Sequence, residues 1–335
     1  QISTLIFFSF DMRRLAYSLG LLLSIDEVLE CSRKLNEIKP EVMWIPETWG
    51  MESFSMLGLA AKENTFSKIG SSIINIYSRS PSLIAMGAAT LDTISNKRLI
   101  LGLGTSSVPI VEDFHGQKFA SPVQRMKEYV EIIRFALTGE KINYDGEIFS
   151  LKDFSLLIKP PRKEIPIYLA AINQKMLELT WNIADGVIFY LRPKAEMKQT
   201  IEKMQSQRTI DTSLQIITCI DNDCEKARTR AKKTLSFYIA VGKIYREFLE
   251  LNGYSDTVHE IYNEYNKTGL KKLDGLISDK ILDDLCIAGT PDDGIKKLQK
   301  FRDVGVDLPI IQFNPIGDTK ESFELLTKTF SGELQ

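Results

Sequence analysis

Lys68–Ser107 reads KIGSSIINIYSRSPSLIAMGAATLDTISNKRLILGLGTSS. Lys68 to Ile74 is a short apolar run rich in β-branched residues, the signature of a strand, and Asn75 to Arg79 leaves it as a polar turn. Ser80-Pro81 then starts a helix: the hydroxyl can accept from an orphan amide, and proline fits the first helical position, where its missing N–H costs nothing. The helix runs to about Ile94. Lys97 to Leu101 is a second apolar run, and Gly102 to Ser107 follows it with small residues that let a ligand approach the backbone. The stretch is a β-α-β unit that ends in a gap of ligand size.

The same rhythm extends on both sides. Tyr17 to Leu23 is the expected first strand, and Ser24-Ile-Asp-Glu27 after it is a capping box that opens a helix ending near Pro40. Val42 to Pro46 is a second strand and Glu52 to Glu63 a second helix, so the opening stretch supplies strands three and four. Downstream, Pro122 to Leu137 carries apolar residues at helical spacing, and Asp145-Gly146 marks a hairpin. Strands five to eight fall at Ile165–Ala170, Val187–Tyr190, Leu214–Cys219 and Leu308–Phe313, with helices at Gln174–Asn182, Pro291–Val304 and Ser322–Thr329. Eight strands alternating with helices give an α/β class, a (β/α)8 TIM barrel. No Gly-x-Gly-x-x-Gly follows the first strand, which disfavours an open doubly wound sheet. Cys224 to Asp284 is charged and helical in period, a helical insertion after strand seven (about 224–285) that forms a lid or a subunit contact. Residues 1–16 are expected to be an N-terminal extension or peripheral segment, with an ordinary first strand as the alternative, and 17–335 a single barrel domain.

A chain of 335 residues with 44% apolar content can bury a large core. Its net charge of −2, with acids and bases interspersed, offers no basic surface for nucleic acid and no polybasic anchor for a membrane. Lys232-Lys233 and Lys271-Lys272 read as solvated helix faces. Four cysteines without CxxC spacing point to reduced thiols and a cytoplasmic protein, and two histidines, His115 and His259, are too few for a histidine-rich metal site. The expected partner is a small molecule, with no metal.

Barrel chemistry sits where strands end. Those ends hold Glu47-Thr48-Trp49, Ser72 to Asn75, Gly102 to Ser107, Ala170 to Asn173, Tyr190 to Arg192 and Asn314. One carboxylate and no histidine make a poor kit for hydrolysis, which needs paired acid and base groups. Small, apolar and hydroxyl residues suit a planar cofactor that brings its own reactivity. Trp49 can equally be rim packing, Glu47 a structural carboxylate, and Tyr77 and Arg79 the closure of a turn.

Pro46-Glu-Thr-Trp49, Ile69 to Pro81, Ala89 to Gly104, and Pro166 to Ala171 with Ala184-Asp-Gly186 resemble the bacterial luciferase-like family. Within it they look most like the branch that uses the deazaflavin coenzyme F420, typified by methylenetetrahydromethanopterin reductase. The block from Thr90 to Gly104 is the most specific part. The resemblance implies a homodimeric barrel with the cofactor ring across the strand ends and a non-prolyl cis peptide behind it, at Ser72-Ile73. It implies an acidic position near the ring at Glu47, followed by Thr48, a side chain reaching the ring edge at Asn75, and a cofactor-chain contact at Thr105. It also implies a phosphate held at a helix start by Ala171, Ile172 and Asn173, and substrate contacts at Trp49 and Ser107.

Two positions depart from the branch. Many of its dehydrogenases carry histidine where Thr48 stands, and the sugar-phosphate dehydrogenases carry glutamate where Ser107 stands. Neither residue replaces a proton donor, so the resemblance implies hydride delivery to an electron-poor carbon rather than alcohol or sugar oxidation. The competing readings are an FMN-dependent monooxygenase of the same family and a degenerate, non-catalytic flavin-binding barrel.

Overall fold

The computed structural model describes residues 14–20 and 22–334. Its strands are β1 (Ala16–Ser18), β2 (Val42–Ile45), β3 (Lys68–Ser71), β4 (Ile74–Asn75), β5 (Leu99–Gly104), β6 (Ile142–Asp145), β7 (Ser150–Phe154), β8 (Ile167–Ala170), β9 (Gly186–Tyr190), β10 (Asp211–Ile220), β11 (Cys286–Gly289) and β12 (Leu308–Phe313). The helices are α1 (Ile25–Ile38), α2 (Ser53–Glu63), α3 (Pro81–Ile94), α4 (Pro122–Leu137), α5 (Gln174–Ile183), α6 (Lys194–Gln205), α7 (Cys224–Val241), α8 (Lys243–Leu249), α9 (Ser255–Thr268), α10 (Asp279–Leu285), α11 (Pro291–Arg302) and α12 (Thr319–Phe330). Parallel pairing runs β1-β2-β3-β5-β8-β9-β10-β12 and returns to β1, closing the barrel. Capping chemistry places the helices as the sequence predicts: Ser24 and Glu27 form a reciprocal box at α1, and Ser80 caps α3 with Pro81 in its first turn.

Several expectations need adjusting. The first strand is shorter than Tyr17–Leu23, because the chain turns away after Ser18. Arg14, Leu15 and Ala16 fall inside the expected peripheral segment yet belong to the barrel: Leu15 and Ala16 are fully buried and Arg14 is ion-paired. The rest of that segment, residues 1–13, lies outside the described residues. Helix α6 and strand β11 had no sequence signal strong enough to name them. β11 is four residues long, directly follows α10, and pairs with the outer end of β10. The hairpin β6–β7 forms at Asp145-Gly146, but close approach rather than a positive φ calls for the glycine, since a Cβ there would sit 2.5 Å from the Glu128 carboxylate. That carboxylate accepts from the amides of Glu147, Ile148 and Phe149 and so holds the hairpin turn against α4.

Inside the barrel, Trp44, Ile100, Tyr168, Ile188 and Ile310 form an apolar layer. The helical insertion, α7 to α10, packs a second core of its own against β10 and β11 through Leu235, Ile239, Leu249 and Ile281. Within the most specific block, Asp92 is fully buried and accepts from Arg162 at 2.8 and 2.9 Å and from the Leu99 amide. It therefore anchors the start of β5 rather than any ligand. All four cysteines are free thiols. Among the described residues no helix is long and apolar enough to cross a membrane.

Candidate active site

A cavity of about 440 Å³ opens at the C-terminal ends of the strands. Every predicted site residue lines it except Asn75 and Ala171. Both of those are buried just behind the wall.

The third strand shapes one side. Ile69 and Gly70 of β3 pair with Leu99 and Ile100, whereas Ile74 and Asn75 of β4 pair with Leu103 and Gly104. The β3–β4 side therefore carries one residue more than β5, and the surplus is accommodated in a bulge that contains the cis peptide Ser72-Ile73. Ser71 replaces the interrupted ladder: its hydroxyl donates to the Gly102 carbonyl at 2.9 Å and accepts from the Gly102 amide at 3.0 Å. A Cβ on Gly102 would lie 1.8 Å from the Ser71 carbonyl oxygen, and one on Gly104 would lie 2.5 Å from the Ile73 side chain. The small residues of the opening stretch thus make room for the bulge itself.

Glu47 is committed elsewhere. Arg79 donates to its two oxygens at 2.6 and 2.7 Å, and the Ser53 amide at the start of α2 donates at 3.0 Å. Arg79 also pairs with Glu52, the N-cap of α2, and lies over the Phe54 ring. Burial alone would raise the Glu52 carboxyl, but the Ser55 and Phe54 amides and the Arg79 charge hold it below its ordinary range. Glu47 lines the cavity with both oxygens bound by Arg79 and one of them also by the Ser53 amide, so three of its roughly four acceptor sites are engaged in shaping the wall. Thr48 stands beside it, and Trp49 is 54% exposed at the rim.

Other polar atoms have no such partners. The Ser72 hydroxyl, the Asn75 side-chain N–H₂ and the Gln215 side-chain carbonyl are buried without a hydrogen bond. An unmet buried polar atom costs on the order of 1–3 kcal/mol, and those of Ser72 and Gln215 belong to residues that line the cavity. Asn75 uses its other end to accept from the Tyr77 amide at 2.9 Å. Thr105, Ser106 and Ser107 follow β5 on the cavity wall, and Asn173 caps α5 by accepting from the Met176 amide at 3.0 Å. The first amides of α5 thereby face the side where Ala171 and Ile172 lead in.

Sequence reasoning missed the far side. Gln215 of β10 and Gln312 of β12 meet at 3.2 Å, and Tyr190, Tyr238 and Tyr245 gather beside them. The glutamines sit in apolar strands that read as core, and the two later tyrosines lie in the charged helical insertion. The one signal for Gln215 was its place as a lone polar residue between Leu214 and Ile216.

A closed barrel with a backbone bulge and unpartnered polar atoms at its C-terminal mouth is the architecture of a cofactor-dependent oxidoreductase. The luciferase-like monooxygenase family matches residues 1–308. The 5,10-methylenetetrahydromethanopterin reductase of Archaeoglobus fulgidus is 31% identical over 307 residues, covering 87% of this chain and 91% of that protein. The coenzyme F420-dependent tetrahydromethanopterin reductase of Methanopyrus kandleri superposes with a TM-score of 0.85 at 22% identity, covering 96% of this chain and 99% of that one. The oxygenating constituent of 3,6-diketocamphane monooxygenase from Pseudomonas putida, in complex with FMN, shares the fold with a TM-score of 0.70 at 13% identity, covering 96% and 98%. This chain belongs to the luciferase-like monooxygenase family, whose members are oxidoreductases that use a deazaflavin or a flavin.

Proposed function

We propose that the protein moves a hydride between coenzyme F420 and an electron-poor carbon of a pterin-like or small organic substrate, in the manner of a methylenetetrahydromethanopterin reductase. One observation carries the choice of cofactor: among the described residues no lysine or arginine lines the cavity. The adjacent Arg192 is 3% exposed, is held by Glu196, and donates to the Ile172 carbonyl at 3.2 Å, so its charge is already matched. The phosphate of FMN is a monoester with a charge of about −1.5 to −2 at neutral pH, which calls for a cation. The phosphodiester linkage of F420 carries a single charge at that position, and the carboxylates of its tail lie beyond the linkage. The first amides of α5, with a partial charge of roughly +0.5, and the hydroxyls of Thr105 and Ser107 suit the diester better.

The residues present fit such a group. Ser72, Ile73 and Asn75 would hold the ring side, and Ala171, Ile172 and Asn173 the phosphate. The bound coenzyme supplies the hydride from C5 of its ring. The protein's part is to position: the bulge presents backbone and the Ser72 hydroxyl, Glu47 and Arg79 lock the rim, and the apolar wall keeps water away from the reacting centre. With both Glu47 oxygens tied to Arg79, and Thr48 and Ser107 as neighbours, the wall is poorly equipped to take a proton from an alcohol, which favours the reductase direction. The same reading takes the chain to be a cytoplasmic homodimer that acts on a small molecule.

Reduced cofactor bound to the protein and exposed to air without substrate tests the reading. It should stay reduced with no oxygen uptake beyond the buffer control. Rapid reoxidation with stoichiometric oxygen consumption would make the monooxygenase reading the better one.

A further inference from the structure

The bulge lies on the third strand of the ring β1-β2-β3-β5-β8-β9-β10-β12, and β10, the seventh, stands diametrically opposite. If the cofactor occupies the bulge side, as proposed above, the substrate meets the face built by β9, β10, β12 and the helical insertion. That face has a different chemistry. Tyr190 packs edge-on against Tyr238 at 5.1 Å and Tyr245 at 5.7 Å, and these two lie 6.2 Å apart.

The helix break between α7 and α8 creates this arrangement. Gly242 caps the end of α7 and the start of α8 in a non-helical conformation, φ −93° and ψ 90°. Its amide donates to the Tyr238 carbonyl at 2.9 Å, and Arg246 donates to the carbonyls of Ile239 and Ala240 at 3.0 and 2.6 Å, which satisfies the end of α7. A Cβ at position 242 would meet the Tyr245 ring at 2.5 Å and the Tyr238 carbonyl at 2.7 Å. Glycine leaves room both for the Tyr245 ring against Tyr190 and for the carbonyl that ends α7.

We propose that Tyr238 and Tyr245, set against Tyr190 by the break at Gly242, are the substrate-selecting wall of the site. They receive the face of a planar nitrogen heterocycle whose ring N–H donates to the free side-chain carbonyl of Gln215. Stacking supplies affinity for a flat face, and the unmet carbonyl penalises a ligand without a donor. A small aliphatic ketone satisfies neither requirement, and a small aliphatic alcohol offers a donor but no flat face.

The test uses the full chain loaded with F420, folic acid as the pterin-bearing probe, and titration calorimetry, with F420 affinity measured separately by fluorescence. Tyr245→Leu and Gly242→Ala should weaken folic acid by about tenfold, the effect of losing one good aromatic contact. Tyr245→Phe should change it by no more than about twofold, since the ring remains. F420 affinity should stay the same in all three. If Gly242→Ala does not fold, Tyr245→Leu decides. Unchanged folic acid affinity in Tyr245→Leu, an equal loss of F420 affinity, or wild-type holoprotein that binds no folic acid would overturn the wall. Wild-type protein with no affinity for F420 would instead remove the functional reading beneath it.

Discussion

At the N-terminal end of the barrel Arg14 donates to both oxygens of Glu41 at 2.6 and 2.9 Å and to both of Asp211 at 2.6 and 2.7 Å. Tyr168 adds a hydrogen bond to Asp211, and Lys68 pairs with Glu41 at 3.1 Å. At the C-terminal end Ser72, Asn75 and Gln215 each leave a buried polar atom without a partner. The same strands run between the two ends, so the difference is not one of fold. One end spends its polar groups on each other and closes the barrel; the other keeps them open for a ligand and accepts the cost in stability. Glu47 and Arg79 show that the rule is local, because they import a satisfied ion pair to the rim of the open end.

The sharpest break of this contrast is Gly102→Ala. Its Cβ meets backbone at 1.8 Å, where no side chain can move aside. The variant should lose about 3 kcal/mol or more in urea unfolding, or fail to fold. Arg14→Met attacks the other end. Two partly buried carboxylates would lose their shared cation, and stability should fall by about 2–3 kcal/mol while F420 affinity stays unchanged. A matching loss of affinity would mean that the two ends are not independent.

Acid should weaken the closed end. Burial alone would raise the Glu41 carboxyl, but the Arg14 hydrogen bonds and charge outweigh it and hold it below its ordinary range. A depressed folded value gives stability that is present above the unfolded carboxylate range, about 4.3, and is lost as pH falls through the folded value. Wild-type unfolding midpoints should therefore drop on acidification below about pH 5, with a shallower drop in Arg14→Met. Parallel curves would place the acid sensitivity elsewhere. The smallest effect belongs to Ser72→Ala. Removing an unmet hydroxyl should leave stability within about 0.5 kcal/mol of wild type or raise it, while weakening cofactor binding up to about tenfold. A clear loss of stability would show that the hydroxyl has a partner in the folded chain.

The frame was largely legible as sequence because it rests on local rules, whereas the closed end was not: Arg14 falls in the expected peripheral segment and reaches Asp211 across 197 positions. Ser24 with Glu27 and Ser80 with Pro81 announce helices within four residues, and the alternation of apolar runs with helical periods gives the barrel. The bulge side was legible through the resemblance of its motifs. What stayed hidden depends on long-range meetings. Glu47 finds Arg79 across 32 positions of chain, and nothing in Pro46-Glu-Thr-Trp49 foretells that both its oxygens are bound there. Tyr238 and Tyr245 look like ordinary residues of charged helices until the break at Gly242 brings the second helix round and both rings meet Tyr190. Gln215 and Gln312 occupy strands whose other residues are core, and only barrel closure reveals that they meet.

The open end is the central claim, and one measurement addresses it most directly: equilibrium titration of the cofactor-free protein with F420 and with FMN, side by side at low and at high salt. Saturable binding of F420, substantially tighter than that of FMN at both salt concentrations, is the expected result. Tighter binding of FMN, or saturable binding of neither, would contradict the account.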